Sequence, residues 1–164
     1  MVLTLRPLKA NRTGDVAALR QVLEDAPSYS YLVKGRPPLS TDAEDVFTDL
    51  PPGLSASDKL VTGFMLNEQM VGFVDVCNGY PDVHIAYIGM LIFAEKYQGR
   101  GFGHEALTHI HTLARSWNCR TLRIAVMENN TPALTFWKKE GFGQLYRKTS
   151  KGYIGDAIIL ESHL

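Results

Sequence analysis

The chain has few cysteines, no long apolar run and no excess of charge of either sign. Only Cys77 and Cys119 are present among its 164 residues, too few for a disulfide framework or a closely spaced metal site. Seventeen Lys and Arg balance seventeen Asp and Glu, so the basic field typical of nucleic-acid-binding proteins is missing. No stretch reaches the roughly 18 apolar residues of a membrane span, and no basic segment followed by an apolar one opens the chain. We therefore expect a cytoplasmic protein with reduced cysteines and neither a membrane nor a nucleic-acid partner.

The length of the chain predicts a single domain, and the distribution of its histidines argues against a metal site. A chain of 164 residues with 45% hydrophobic residues has enough apolar side chains for one domain, expected to span residues 1–164. His109 and His111 stand two apart on a predicted helix and point in different directions, while His104 and His111 are two turns apart. No third ligand accompanies them, so no metal site is expected.

Hydrophobic periodicity predicts the order of strands and helices. Strands are expected at 2–6, 60–66, 71–77, 84–93, 121–127, 142–148 and 154–162, and helices at 15–24, 101–117 and 131–140. The stretch 26–58 contains two Pro-Pro pairs and is expected to be irregular apart from a short helix at 41–49. The alternation of strands and helices in the second half predicts a mixed sheet with helices on both faces.

A glycine-rich segment joins the apolar strand 84–93 to the helix 101–117. It reads Gln98-Gly99-Arg100-Gly101-Phe102-Gly103. Glycines let the backbone approach a ligand and point several N–H groups at one spot. The N-terminus of the helix adds unpaired N–H groups and the positive end of its dipole. The segment therefore predicts a cradle for an anion such as a phosphate or pyrophosphate.

Two well-known phosphate loops fit this segment poorly. A Walker loop requires Lys and then Ser or Thr after its last glycine, whereas His104 and Glu105 follow here. The dinucleotide fingerprint Gly-x-Gly-x-x-Ala matches residues 101–106 by letter, but residues 94–98 lengthen a turn that should be tight. The ribose-binding acid is also missing at its expected position, although Glu128 stands just beyond. A dinucleotide-binding module is therefore disfavoured.

Two segments together resemble the GNAT superfamily of acyl-CoA N-acyltransferases. Residues 98–103 fit its phosphate-loop pattern Gln/Arg-x-x-Gly-x-Gly/Ala at every fixed position. Residues 130–142 resemble its second signature, with Asn130, then Ala133, an aromatic pair and a closing Gly-Phe. The two signatures stand in the family's order and at a typical separation, and the resemblance covers about half of the chain.

The resemblance implies a GNAT fold of the α/β (α+β) class. This fold has a central mixed, mostly antiparallel sheet of about seven strands, with one splayed pair and helices on both faces. It also implies acetyl-CoA as the acyl donor, with its pyrophosphate on residues 98–103. By resemblance, the other residues that contact the cofactor are Leu91, Ile92, Phe93, Asn130, Ala133 and Trp137. Asn130 has a second interpretation as a helix cap.

The implied reaction is direct attack of an amine on the thioester carbonyl, at the mouth between strands 84–93 and 121–127. A backbone N–H near Leu91 is the candidate donor to the developing oxyanion. Alkylamines are mostly protonated at neutral pH, so a general base or a water chain must take a proton. Tyr87 aligns with the glutamate of histone-type members and is expected to orient the amine or a water. Asp82 and His84 are the alternatives.

The general acid is equally open. Trp137 stands where many members of the superfamily place a tyrosine near the CoA sulfur. An indole N–H cannot protonate a thiolate, so Trp137 is expected to pack against the pantetheine or the core. Tyr146 and Tyr153 are left as substitutes.

The acceptor is expected to bind near the stretch 26–58, which the superfamily uses to cover its acceptor cleft. Between residues 41 and 58 the chain carries five acids and neither Lys nor Arg. These acids are Asp42, Glu44, Asp45, Asp49 and Asp58. They predict either attraction of a cationic amine or a solvated helix face. Just upstream, Lys34 and Arg36 would suit a carboxylate, and Tyr29 and Tyr31 could wall a small pocket.

The preferred hypothesis is an N-acetyltransferase that uses acetyl-CoA and a primary amine on a small molecule. The alternative is a CoA-binding sensor or interaction domain with little turnover, because Tyr87 and Trp137 replace the residues expected for acid–base chemistry. The identity of the amine, and whether the protein is a homodimer, stay open.

Overall fold

The computed structural model describes residues 2–164. Its strands are β1 (Thr4–Pro7), β2 (Lys59–Leu66), β3 (Gln69–Asn78), β4 (Ile85–Phe93), β5 (Thr121–Met127), β6 (Gly143–Thr149) and β7 (Asp156–His163). Its α-helices are α1 (Thr13–Glu24), α2 (Pro27–Lys34), α3 (Asp42–Thr48), α4 (Phe102–Ser116) and α5 (Thr131–Lys139). None of the helices in residues 2–164 is long and apolar enough to cross a membrane.

All seven strands form one sheet in the order β1-β2-β3-β4-β5-β7-β6. Every neighbouring pair is antiparallel except β4 and β5, which run parallel and are connected through α4. The tight β2–β3 hairpin turns at Asn67 and Glu68, which both have positive φ, as a two-residue hairpin loop of the primed type requires. The mixed, mostly antiparallel sheet expected from the sequence is confirmed.

The helices cover both faces of the sheet, as expected. On one face α4 and α5 place Phe102, Ile110 and Trp137 against strand residues such as Val74 and Ile88. On the other face α1 and α3 pack their apolar side chains against residues such as Phe73. Because side chains alternate along a strand, β3 supplies Val74 to the first core and Phe73 to the second.

The parallel pair β4 and β5 separates halfway along its length. The two strands pair from Ile85 with Thr121 to Ile88 with Ile124. Beyond that point β4 continues to Phe93 and β5 to Met127 without a shared ladder. After Ile88, the N–H and C=O groups of β4 on the side that faces β5 therefore have no partner on that strand. This is the splayed pair expected from the sequence.

The stretch 26–58 is more ordered than the sequence suggested. The short helix expected at 41–49 is present as α3, but residues 27–34 form α2, so the expectation of an irregular segment there is wrong. The helix begins with Pro27 in its first turn and ends at Gly35, which has a φ of 69°. It is tied to the rest of the fold, since Glu95 accepts a hydrogen bond from Ser28 N–H (2.9 Å). Tertiary contacts of this kind stabilise a segment whose serines and tyrosines are weak helix formers.

Candidate active site

A large cleft opens where β4 and β5 separate. It has a volume of about 590 Å³ and is bounded by β4, α2, the glycine-rich loop and α5. Most of the residues predicted to bind the cofactor line it: Leu91, Ile92, Phe93, Gln98, Gly99, Gly101, Phe102, Gly103, Asn130, Ala133 and Trp137. The size is within the range of ligand sites in proteins.

The glycine-rich loop leads into α4 with an uncapped N-terminus. Gly99 and Gly101 have φ values of 73° and 85°, in the left-handed region that favours glycine, and open space surrounds both Cα atoms. Gly101 is the residue that precedes the helix, and no side chain within residues 2–164 caps the first turn. The first N–H groups of this helix of 15 residues therefore lack a side-chain acceptor, and the residues of its first turn line the cleft. Such a helix end favours an anion.

Gly103 is a glycine for a different reason. It lies inside α4, and a Cβ atom there would stand 2.9 Å from Cε1 and 3.0 Å from Cζ of the Phe136 ring. The missing side chain therefore lets α4 approach α5, whereas Gly99 and Gly101 leave the backbone open to a ligand.

The other loop residues differ in their orientation. The side-chain amide of Gln98 donates to the Phe93 carbonyl (2.7 Å), which fixes the loop to the end of β4. Arg100 is exposed and does not line the cleft; its guanidinium lies 5.6 Å from the centroid of the Tyr97 ring. Arg100 is thus the one predicted cofactor residue whose side chain the structure places away from the cleft.

Asn130 and Trp137 hold α5 in place. The side-chain oxygen of Asn130 accepts a hydrogen bond from Ala133 N–H (3.3 Å) at the start of α5, so the helix-cap interpretation describes its contact here. Trp137 is 4% exposed and packs edge-on against Phe136 and Phe142, at centroid distances of 5.0 and 4.9 Å. Its indole therefore belongs to the core, although Trp137 also lines the cleft.

A second cavity, of about 260 Å³, lies on the α1–α3 face of the sheet beside the separation point. Tyr29 of α2 lines both this cavity and the larger cleft. Of the five acids in residues 41–58, Asp42, Asp45 and Asp49 line it, whereas Glu44 pairs with Arg20 and Asp58 caps a turn at Ser55. We refer to this space, between α2, α3 and the sheet, as the acceptor cavity.

The charged groups around the acceptor cavity are predominantly acidic. Its lining includes the side chains of Asp42, Asp45, Asp49 and Asp75, against those of Lys34 and Lys59. The carboxylate of Asp42 already has partners within the protein, since it accepts two hydrogen bonds from Arg36 and one from Leu39 N–H. Burial would raise the pKa of Asp42, but these partners outweigh burial and the pKa is lowered. Asp45 and Asp49 pair with no Lys, Arg or His in the described part of the chain.

Tyr87 lines the acceptor cavity. Its ring packs edge-on against Tyr80, at a centroid distance of 5.3 Å. Burial raises the pKa of Tyr87 to about 12, so its phenol keeps its proton at neutral pH and cannot act as a general base there, although its hydroxyl can still form hydrogen bonds. The two alternatives, Asp82 and His84, are exposed and line neither cavity.

The two tyrosines considered as acids are placed differently. Tyr153 is half-buried and lines the acceptor cavity, with the Lys34 ammonium 5.5 Å from its ring centroid. Tyr146 is exposed on the edge strand β6 and lines neither cavity. Tyr153 is therefore the one of the two that lines a cavity beside the separation of β4 and β5.

Sequence reasoning missed the buried pair Asp75 and Lys59 in the acceptor cavity. Asp75 is 5% exposed and its Oδ1 lies 3.5 Å from Lys59 Nζ. Burial raises the pKa of Asp75 to about 6, although the Lys59 ammonium and Met90 N–H both favour the carboxylate. The signal in the sequence was an acid in the middle of the apolar strand 71–77, which is rare without a partner.

Neither cysteine nor histidine forms a metal centre in the described residues. No group of three or more possible metal ligands occurs in residues 2–164. Cys77 and Cys119 are buried free thiols. His104 lines the larger cleft and bonds to Glu140 (2.7 Å).

Comparison with known proteins identifies the family. A family model described as the acetyltransferase (GNAT) family matches residues 17–142. The chain is 31% identical over 104 residues to the uncharacterized N-acetyltransferase YycN of Bacillus subtilis (strain 168), a match that covers 61% of this chain. The same match covers 66% of that protein, slightly less than two thirds of its length.

Solved structures show the same fold. An acetyltransferase from Thermus thermophilus superimposes with a TM-score of 0.81 at 24% identity, covering 100% of this chain and 98% of that one. A GNAT family acetyltransferase from Elizabethkingia anophelis, solved with acetyl-CoA bound, gives a TM-score of 0.68 at 17% identity, covering 99% and 98%. The chain belongs to the GNAT family of acetyltransferases. The dinucleotide-binding alternative is excluded, because a doubly wound parallel sheet does not fit a sheet with one parallel pair.

Proposed function

We propose that the protein transfers an acetyl group from acetyl-CoA to a primary amine. The observation that carries this proposal is a pair of neighbouring cavities, both lined by Tyr29, near the point where β4 and β5 separate. The larger cleft has an uncapped helix N-terminus for a pyrophosphate and unpaired strand backbone for the amides of a pantetheine arm. A related fold binds acetyl-CoA, as in the protein from Elizabethkingia anophelis. Leu91 N–H is the proposed donor to the oxyanion.

The acceptor is proposed to be a small molecule that carries its amine as an ammonium ion. The acceptor cavity has more carboxylates than ammonium groups, and Asp45 and Asp49 are free of basic partners among residues 2–164. Its volume of about 260 Å³ suits a small amine. With the cofactor in the cleft, the amine in this cavity would face the thioester, and positioning would supply much of the rate. A cytoplasmic location, favoured by the two free thiols, is part of the proposal.

The test is release of free CoA thiol from acetyl-CoA in the presence of a panel of amines. The panel contains 1,4-diaminobutane, 2-phenylethylamine, and a short peptide with a free N-terminal amine. Amine-dependent thiol release with one of the small amines is expected. Binding of CoA by calorimetry without release for any amine would instead favour the sensor function, which the protonated Tyr87 and the core position of Trp137 keep as the second candidate.

A further inference from the structure

A buried carboxylate borders the acceptor cavity beside the point where β4 and β5 separate. It belongs to Asp75 of β3, which is 5% exposed. Val74 and Val76 on either side of it point into the core under α4, so Asp75 points to the opposite face, toward α3. Cys77 and its cross-strand partner Tyr87 stand on that same face and line the same cavity.

A bulge in β4 makes room for this carboxylate. Asp75 pairs with Met90 and Val76 pairs with Ile88, so Gly89 is an extra residue without a partner on β3. A Cβ atom on Gly89 would lie 2.1 Å from Asp75 Oδ1. Any other residue at position 89 would therefore displace the Asp75 carboxylate. The same bulge lies directly after Ile88, the last residue of β4 that pairs with β5.

The carboxylate retains the capacity to accept another proton or hydrogen bond. Its donors among residues 2–164 are Lys59, with Nζ 3.5 Å from Oδ1, and Met90 N–H. A carboxylate can accept about four hydrogen bonds. Lys59 also donates to the Asp49 carbonyl (2.6 Å), so the pair additionally holds the end of α3 against the sheet. A pair with this anchoring role alone would not need to border a cavity, as this one does.

We propose that Asp75 is the general base that takes a proton from the acceptor ammonium. This assignment rests on the proposed function and deepens it. Asp75 accepts one proton from the ammonium, and the neutral amine then attacks the thioester carbonyl, forming the C–N bond. As the tetrahedral intermediate collapses, the C–S bond breaks and the second amine proton goes to the thiolate, which leaves as CoA thiol. Asp75 afterwards gives its proton to solvent, so that one proton is released per turnover.

The thiol and phenol groups around Asp75 titrate far above its pKa, so its titration can be observed separately from theirs. Those that face it are Lys59 of β2, Cys77 of β3, Tyr87 of β4, Tyr29 of α2, Asp49 after α3 and Tyr153 before β7. Burial raises the pKa of Cys77 to about 11 and that of Tyr87 to about 12, and it also raises the pKa values of the two other tyrosines. The thiol and the phenols therefore keep their protons at neutral pH. Burial raises the pKa of Asp75 to about 6, so this carboxyl is a base above pH 6 and protonated below it.

The experiment measures kcat/KM for 2-phenylethylamine and 1,4-diaminobutane against pH, at saturating acetyl-CoA. At saturating acetyl-CoA, the pH dependence of cofactor binding does not contribute to the profile. The wild-type value is expected to fall as the pH drops through about 6. Asp75→Asn is expected to lower kcat/KM at neutral pH by about 10²- to 10⁴-fold. Activity of this variant should then rise with pH as the amine itself loses its proton, and methoxyamine, which is neutral at pH 7, should be acetylated almost as fast as by the wild type.

Two further variants separate the base from the ion pair. Asp75→Asn leaves the Lys59 ammonium buried without its partner, so the double variant Lys59→Met with Asp75→Asn removes both charges. It is expected to fold, bind CoA normally and show the same loss of activity as Asp75→Asn. Lys59→Met alone removes a cation that lowers the pKa of Asp75. The fall of kcat/KM at low pH, the acidic limb of the profile, should therefore move to higher pH by about one unit or more.

The outcomes distinguish failure of the proposed acetyl transfer from failure of the assignment of Asp75 as the base. If the wild type transfers acetyl to no amine of the panel, the proposed function fails and the base assignment fails with it. If the wild type is active and the folded double variant keeps its kcat/KM and its acidic limb, the base assignment alone is overturned. An acidic limb that stays in place in Lys59→Met would overturn it as well.

Discussion

A methyl group at Gly103 would test how closely α4 and α5 pack beside the cofactor cleft. The added Cβ atom would lie 2.9 and 3.0 Å from two carbons of the Phe136 ring, closer than carbon atoms pack. Crowding of this kind costs about 1–3 kcal/mol, and replacing a helical glycine by alanine returns about 1 kcal/mol. We therefore expect Gly103→Ala to lose about 1 kcal/mol of stability, or about 2–4 °C in Tm.

The matched control is Gly101→Ala, two residues away. Open space surrounds Gly101, but its φ of 85° is unfavourable for alanine and should cost about 1–2 kcal/mol. Phe136→Leu replaces the ring by a shorter side chain. It should therefore abolish the loss of stability caused by Gly103→Ala and leave the loss caused by Gly101→Ala unchanged. Thermal unfolding of the single and double variants gives both coupling energies. A coupling between Gly103 and Phe136 below about 0.5 kcal/mol would refute the packing argument.

Three further predictions concern the site and its surroundings. Trp137→Phe should keep most of the activity and lose about 1–2 kcal/mol of stability, because the indole packs in the core; a collapse of kcat at unchanged CoA affinity would contradict this. Tyr87→Phe should lower kcat/KM about ten- to a hundredfold with CoA binding unchanged; normal kinetics with a lower Tm would make it a core residue. Asp42→Asn should destabilise the protein at neutral pH, because the pKa of Asp42 is lowered in the fold. This difference in urea denaturation should shrink as the pH falls through that lowered pKa, since stabilisation by a carboxylate is lost on protonation.

Much of the fold was predictable because its signals are local. The strands and the four helices expected from the sequence all occur, and each bound lies within two residues of the predicted one. The apolar run that ends at Phe93, the three glycines and the periodic helix after them predict the position of the larger cleft within one segment of about twenty residues. The predicted contacts to the cofactor stay predictions, but the residues are close together as the family pattern requires.

The helix α2 could not be predicted because long-range contacts stabilise it. Its eight residues are too few to be stable alone. Two residues far along the chain stabilise the helix. Glu95 accepts a hydrogen bond from Ser28 N–H, and Ile154 N–H donates one to the Val33 carbonyl (2.8 Å). The only local signals were Pro27 at its start and Gly35 after its end.

Asp75 shows why the acceptor side of the site is harder to infer than the cofactor side. Its environment depends on Lys59 from one neighbouring strand and on Gly89 from the other, and the sequence alone does not reveal either pairing. A bulge shifts the alternation of a strand by one residue, so Gly89 and Met90 both face Asp75, whereas a regular strand would turn one of them away.

The bulge at Gly89 connects the two halves of the site. It follows Ile88, where pairing with β5 ends, and so lies where the larger cleft begins. It also leaves the volume that the Asp75 carboxylate occupies in the acceptor cavity. Because one irregularity in β4 does both, the acetyl group and the amine would meet beside Gly89 whatever amine the cavity binds. The identity of the amine would then depend on α2 and α3, while the chemistry would depend on the strands.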